Sequence, residues 1–171
     1  AKIIYGCGWA VVINFFRKAA FLLVKTPKVW YNKRMRILGV DYGDSRIGVS
    51  VCDELCKLAS PLMTVKSESM RKNVDKIAAI AKEQSVGAIV LGLPLNMDGS
   101  EGIRAGKSRA FARVLEKVSG LEVKLVDERL TTVEAEEIMD ANGVPKYKRT
   151  EIVDRIAAQL ILQSYLDSNK Q

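Results

Sequence analysis

The sequence of 171 residues contains no histidine, and this absence excludes several kinds of chemistry. Without histidine the chain cannot build a serine–histidine–aspartate triad, use an imidazole as a general base, or form a mixed cysteine–histidine zinc site. Any catalysis must therefore rely on carboxylates, lysine, tyrosine, serine or threonine, or on a bound metal ion.

Cysteine is scarce as well. The three cysteines, Cys7, Cys52 and Cys56, are too few and too unevenly spaced for a disulfide framework. Cys52 and Cys56 also lack the histidine partners of a common zinc site. We therefore expect free thiols, as in a reducing cytoplasm.

Acidic residues are missing from the first 34 positions, which carry seven lysines and arginines. The remaining residues hold 20 basic and 20 acidic side chains, so the net charge of +7 belongs entirely to the N-terminal segment. Overall basicity is a common sign of nucleic-acid binding. Here it cannot support that reading for the rest of the chain.

A long hydrophobic run is also lacking. The apolar stretches of the N-terminal segment are interrupted by Asn14 and by Arg17 and Lys18, so neither reaches the length of a membrane span. A signal peptide would carry its charges first. Met35 begins a segment that reads like a natural start followed by a strand. We expect residues 1–34 to be an extension outside the fold, with an interfacial helix or a targeting segment as the alternative. Residues 35–171 are long enough for one domain.

The hydrophobic pattern of residues 35–171 predicts three strands followed by alternating helices and strands. The predicted strands are Ile37–Val40, Gly48–Cys52, Ala59–Val65, Ala88–Leu91 and Glu122–Val126. The predicted helices cover about 73–84 and 103–118, a segment capped by Thr131 or Thr132, and about 150–165 after a break at Asn142–Lys146. This order predicts an α/β fold whose mixed sheet has three antiparallel strands, then parallel ones, with helices on both faces. Pro61 should place the third strand near an edge.

Acidic residues stand at the ends of three predicted elements: Asp41, the pair Asp127 and Glu128, and Asp154. Sites in such sheets form at the carboxyl ends of strands, where these acids and the Gly92–Ser100 loop would meet. Carboxylates without histidine or cysteine suit Mg²⁺ or Mn²⁺, and two such ions can support phosphodiester hydrolysis. Taken singly, each acid could be a turn or cap residue, and Asp154 could be an acid at a helix N-terminus.

Four motifs in order give the chain a resemblance to a known family. They are Gly39–Gly43 followed by Arg46–Gly48; Gly92–Ser100; Val126–Thr132; and Val153–Asp154 followed by Ala157–Ala158 and Ile161–Tyr165. Together they resemble the YqgF/RuvX family of ribonuclease-H-like nucleases, relatives of the RuvC Holliday-junction resolvases. The resemblance spans Met35 to Tyr165 and leaves out residues 1–34.

The resemblance implies a ribonuclease-H-like nuclease that hydrolyses phosphodiester bonds and matures the 5′ end of 16S ribosomal RNA in the cytoplasm. It implies that Asp41, Glu128 and Asp154 form the catalytic, metal-binding set with Mg²⁺ or Mn²⁺. Asp127 is a further candidate ligand. Neighbouring residues of a strand face opposite ways, so only one of Asp127 and Glu128 can join the site. The motif favours Glu128.

The same motifs suggest residues that contact nucleic acid, although each has a structural alternative. Asn96 and Ser100 could face a phosphate backbone, or Ser100 could cap a helix. Arg129 could contact a phosphate or pair with Asp127. The remaining candidates are basic residues that would position a nucleic acid without reading its sequence: Arg104, Lys146, Lys148 and Arg149.

Other functions remain open at this point. The substrate could be structured RNA or branched DNA. No acid ends the Ala88–Leu91 strand, where RuvC-type relatives carry one, which weakens the resolvase reading. A non-catalytic RNA-binding assembly factor would keep the fold without turnover. ATP phosphotransfer would need a second lobe for which the chain is too short. We expect no membrane association of residues 35–171, and a monomer or a homodimer.

Overall fold

The computed structural model describes residues 35–129, residue 141 and residues 146–169. The chain divides into two units, residues 1–33 and residues 34–171, and the described residues belong to the second. Its strands are β1 (Ile37–Tyr42), β2 (Arg46–Cys52), β3 (Ala59–Lys66), β4 (Ala88–Leu93) and β5 (Glu122–Asp127). The described helices are α1 (Met70–Glu83), α2 (Ile103–Ser119) and α3 (Lys146–Ser168).

The five strands form one mixed sheet in the order β3-β2-β1-β4-β5. The first three strands pair antiparallel, whereas β4 runs parallel to both β1 and β5. β3 lies at an edge, as Pro61 indicated, and Pro61 pairs with Ser50 beside an irregularity in the register. The predicted architecture is confirmed.

Helices cover both faces of the sheet. On one face, α1 and α2 bury side chains such as Ile77, Phe111 and Leu115 against Leu38 and Val40 of β1. On the other face, α3 is the one helix among the described residues, and it packs with a second cluster of buried residues that comprises Val90, Ile161, Leu162, Leu166, Cys52 and Ala59. Because Ile89 and Leu91 join the first cluster and Val90 the second, β4 is apolar along its whole length.

Two predicted boundaries differ from the structure in ways that affect the acids. β1 extends to Tyr42, because its ladder with β2 continues through the pairs Asp41–Gly48 and Tyr42–Ile47. Asp41 therefore lies inside the hairpin rather than just beyond a strand.

The last helix begins at Lys146, four residues before the predicted start at Thr150. Lys146 therefore belongs to the helix and not to the break, and Asp154 lies in the third helical turn. A helix dipole acts on the first turn, so the reading of Asp154 as a helix N-terminal acid is wrong.

Other predictions about the elements fare differently. Gly120 ends α2 in the left-handed conformation (φ 69°), as its sequence position indicated. The helix predicted from Thr131 or Thr132 lies outside the described residues, apart from Ala141, which is helical. Cys52 and Cys56 are free thiols. None of the helices in the described ranges combines the length and apolarity needed to cross a membrane.

Candidate metal centre

Asp41 lies near the carboxyl end of β1 and on the sheet face that α3 covers. Leu38 and Val40 point into the opposite core, so strand alternation turns Asp41 toward the helix. Burial raises the pKa of Asp41 to about 6, together with the nearby Asp154 carboxylate, while Arg104 opposes the shift. The Asp41 carboxylate thus sits partly desolvated and beside a second acid.

Glu128 follows β5 and reaches the same place from the other side. Its N–H donates to the carbonyl of Leu93 (3.3 Å), which continues the pairing of β4 with β5. Its carboxylate lies over Gly92, where a Cβ atom would overlap Glu128 Oε2. Burial raises the pKa of Glu128 to about 8, and the Asp41 charge adds to the shift. Gly92 therefore makes room for a carboxylate at the end of β4.

Asp154 is brought beside Asp41 by a close crossing of α3 over β2. A Cβ atom at Gly48 would overlap the Asp154 carbonyl oxygen, and Gly48 is the cross-strand partner of Asp41. Burial raises the pKa of Asp154, against the effect of Arg46. Arg46 Nε lies 3.2 Å from Asp154 Oδ2, but this ion pair lacks hydrogen-bond alignment, and the buried Oδ2 atom accepts no hydrogen bond.

Asp127 turns away from this group. Its carboxylate accepts hydrogen bonds from the Arg129 side chain (Nε–Oδ2, 2.8 Å) and backbone N–H (3.0 Å). Arg129 accordingly lowers the pKa of Asp127. The structure thus places Glu128, and not Asp127, next to Asp41. Of the two alternatives for Arg129, it shows the pair with Asp127.

The three carboxylates fit a hard divalent cation. Within the described part of the chain, no three acids or cysteines approach closely enough to cage an ion as they stand. Burial first, and then the like charges that meet at this edge, raise the pKa values of Asp41 and Glu128. The donors are all carboxylate oxygens, which Mg²⁺ and Mn²⁺ prefer, and the buried Asp154 Oδ2 atom accepts no hydrogen bond.

Arg104 is the predicted nucleic-acid contact that the structure brings to the acids. It lies in the first turn of α2 with an exposed side chain, and it opposes the raised pKa values of both Asp41 and Glu128. A cation is unfavourable at a helix N-terminus, so Arg104 is not placed there for helix stability. Its charge faces the site instead.

The Asn96–Ser100 loop stands nearby and is held by its own hydrogen bonds. Asn96 Nδ2 donates to Ser100 Oγ (2.8 Å), and the Ser100 N–H donates to Asp98 Oδ1 (2.9 Å). Ser100 caps no helix, because α2 begins after Gly102, which makes no side-chain cap. The loop leaves both Asn96 and Ser100 exposed.

The three other basic candidates, Lys146, Lys148 and Arg149, belong to the first turn of α3. Their side chains lie outside the described part of the structure. Their predicted contact with phosphate stays a prediction.

A family model described as "RuvX: Holliday junction resolvase" matches residues 35–168. The chain belongs to the RuvX family. The match begins at Met35 and includes every acid of the candidate site.

Curated relatives agree with this assignment, and one solved structure shares the fold. A protein of Syntrophus aciditrophicus named "Putative pre-16S rRNA nuclease" is 53% identical over 137 residues, covering 80% of this chain and 91% of the relative. A relative of the same name from Endomicrobium trichonymphae is 50% identical, covering 77% and 95%. The T. thermophilus RuvC structure with a Holliday junction substrate is 15% identical with a TM-score of 0.52, covering 80% and 98%. This likeness shows the fold, which is ribonuclease-H-like.

Three residues that shape the site in this RuvX chain were not singled out for it from the sequence. Gly48 and Gly92 admit the backbone of Asp154 and the carboxylate of Glu128, and Arg46 pairs with Asp154. All three lie within the motifs of the family resemblance. Their roles depend on which residues face each other across the sheet, and the sequence does not state this register.

Proposed function

We propose that this protein is a metal-dependent nuclease that processes the 5′ end of the 16S ribosomal RNA precursor. The observation that carries the proposal is the meeting of Asp41, Glu128 and Asp154 at the carboxyl edge of the sheet, where burial raises the pKa of each. The protein is a phosphodiester hydrolase, as its family and the names of its relatives indicate. The relatives' names support the choice of a ribosomal substrate, and we infer that the protein acts on it in the cytoplasm, where ribosomes assemble.

In this proposal Asp41, Glu128 and Asp154 hold Mg²⁺ or Mn²⁺. When bound, such ions supply an activated water and stabilise the leaving oxygen in phosphodiester hydrolysis. Asp41 and Glu128 must lose their protons to bind a cation, and their raised pKa values make this loss dependent on pH. Arg46 forms an ion pair with the Asp154 carboxylate. Arg104 offers positive charge at the mouth of the site, where a substrate phosphate would lie.

Cleavage of DNA junctions is a second candidate, because the family description names Holliday junction resolvases. The missing acid at the end of β4 had weakened this reading. In the structure the Glu128 carboxylate lies over Gly92, at that end of β4. The residue after β5 thus supplies a carboxylate at this end of β4. The missing acid on β4 therefore no longer favours RNA over a DNA junction as the substrate.

A purely binding role explains the site less well. Three partly buried carboxylates repel one another and would repel a polyanion. A protein that only bound RNA would gain nothing from keeping them together, whereas a metal ion offsets their repulsion.

The test is cleavage of a 16S ribosomal RNA precursor with Mg²⁺ or Mn²⁺ by the wild type and by Asp41→Asn. The amide keeps the shape of the side chain but loses the charge that would hold the ion, so we expect cleavage to fall by at least about 100-fold. Asp44→Asn is the matched control, because Asp44 is exposed and pairs with Lys107. Equal cleavage by wild type and Asp41→Asn would refute the proposal. A four-way DNA junction in the same assay decides between the two substrates.

A further inference from the structure

A basic groove runs away from the acids on the sheet face that α3 covers. It has a volume of about 680 Å³, within the ordinary range of ligand sites. Three cations line it, Arg46, Lys66 and Arg155, together with Ser45, Leu62, Met63 and Thr64. Among the residues that the structure describes, none that lines it is acidic.

The register of the sheet explains why the cations gather there. Arg46 begins β2 and pairs with Lys66 at the end of β3, so the two side chains leave the same face of the sheet. Arg155 follows Asp154 on α3, the helix that crosses this face. The groove therefore combines cations from two strands and one helix, which lie far apart in sequence.

The groove and the acid site share a border. Arg46 lines the groove and pairs with Asp154, and Arg155 is the next residue after Asp154. Lys66 is exposed at the far end, and no acid among the described side chains forms an ion pair with it. A polyanion whose phosphate lies at the acid site would therefore meet further positive charge along one direction.

We propose that this basic groove binds a single strand of RNA adjacent to the phosphodiester that is cut. Arg46, Arg155 and Lys66 contact successive phosphates, and the exposed Met63 offers apolar surface to a ribose or an unstacked base. A single strand fits this chemistry better than a duplex, because a duplex keeps the faces of its bases stacked inside. The inference rests on the proposed function for the place of the cut and names the part of the substrate beside it.

The test measures binding of an unstructured, fluorescently labelled RNA oligonucleotide to the full chain in EDTA, which prevents metal-dependent cleavage. Lys66→Gln should weaken binding by about threefold to fivefold, as expected for a partly exposed charge contact. It should also reduce the steepness of the salt dependence by about 0.7, the share of one phosphate contact on a single strand. Lys66→Glu should weaken binding further. Both changes are on an exposed side chain, and an unchanged melting temperature confirms that the variants fold.

Lys117→Gln is the matched control, because Lys117 is exposed in the last turn of α2, beyond which the chain enters β5 at the opposite edge of the sheet. It removes the same charge and should leave affinity unchanged. Wild-type RNA affinity in both Lys66 variants would overturn the proposed binding in the groove. An equal loss of affinity in Lys117→Gln would also overturn it, because that result would mean that only total charge matters. If the Lys66 variants lost affinity for a DNA strand of the same sequence but not for the RNA, the assignment of the groove to RNA would be overturned. Because binding is measured without metal, absence of RNA cleavage by the wild type would count against the proposed function and leave the groove result intact.

Discussion

Neighbouring acids in this protein experience opposite surroundings. Glu128 is pushed toward its protonated form by burial and by Asp41, whereas Asp127, one residue earlier, is held ionised by Arg129. The difference follows from strand alternation, which sends one side chain over Gly92 and the other toward solvent. A cation at the site would stabilise the ionised form of Glu128 and would have little effect on Asp127.

Substitution of the two acids should therefore have unequal effects. We expect Glu128→Gln to reduce metal-dependent cleavage by at least about 100-fold, because it removes a carboxylate that would hold the ion. Asp127→Asn should cost less than about tenfold, since its partner is the exposed Arg129. Cleavage rates under saturating metal compare the pair directly. A larger loss in Asp127→Asn than in Glu128→Gln would reverse the assignment of the ligand.

The raised pKa values also predict how stability depends on pH without metal. Asp41 shifts from 3.8 to about 6 and Glu128 from 4.5 to about 8, so the folded state binds protons more tightly than the unfolded state. The stabilising contribution is fully present below the unfolded values and is lost as pH rises through about 6 and then about 8. The metal-free protein should therefore lose stability between about pH 4 and about pH 8 on account of these groups.

The glutamine side chain of the Glu128→Gln variant cannot ionise. The variant should therefore lose less stability than the wild type as pH rises. We expect the variant to gain on the order of 2 kcal/mol over the wild type at high pH, which is several degrees in melting temperature. Mg²⁺ should raise the melting temperature of the wild type at the same pH, and should raise that of the variant less. Thermal melts in EDTA across the pH range measure both effects. A wild type whose stability rises steadily up to about pH 9 relative to Glu128→Gln would contradict the assignment.

At the scale of elements, the site depends on how closely α3 approaches the sheet. Gly39, Gly48 and Gly92 lie beneath the helix or the Glu128 carboxylate, and a Cβ atom at any of them would collide with these atoms. Ser50 fixes the crossing with a hydrogen bond from its Oγ to the Ala158 carbonyl (2.7 Å). At the edge of the sheet, the Gln163 side chain accepts a hydrogen bond from the Ala59 N–H (2.9 Å). The position of Asp154 is thus set by backbone contact along the helix.

Gly48→Ala should therefore harm both fold and site. The new methyl group would overlap the Asp154 carbonyl, so α3 must shift, at a cost of about 1–3 kcal/mol. Cleavage should fall further than this loss of stability alone would cause, because Asp154 moves away from Asp41. Gly106→Ala is the control, since a Cβ atom there would meet no described residue outside its own helix turn within 4 Å, and alanine favours a helix by about 0.5–1 kcal/mol. Denaturant unfolding and cleavage rates report the two effects, and wild-type behaviour of Gly48→Ala would contradict them.

At the scale of the whole molecule, residues 35–171 carry equal numbers of basic and acidic side chains, yet the charges are not evenly spread. Four cations surround the carboxylates or extend from them, so the negative site has a positive border: Arg46, Arg104, Lys66 and Arg155. This arrangement lets a nearly neutral domain attract a polyanion locally. The excess of positive charge in residues 1–34 is not needed for it.

Removal of residues 1–34 should accordingly leave a folded and active nuclease. The buried clusters run from Leu38 to Leu166, and the family match covers residues 35–168. We expect the melting temperature of the shortened chain to stay within a few degrees of the full chain, with similar cleavage of precursor RNA. Calorimetry on both chains gives the comparison. Loss of a cooperative transition on removal would show that residues 1–34 take part in the fold.

The sequence by itself determined the order of the elements, the edge position of β3 and the end of α2, because these follow from hydrophobic period, Pro61 and Gly120. It also determined the family, through motifs whose order is specific although each is short. Only the tertiary structure showed that Glu128, and not Asp127, lies next to Asp41. It also showed that Asp154 lies where α3 crosses β2 rather than at the start of the helix, and that one groove is lined by Arg46, Lys66 and Arg155. Local patterns record which residues prefer a strand or a helix, whereas these three outcomes depend on register and on helix–sheet contact between residues distant in the chain.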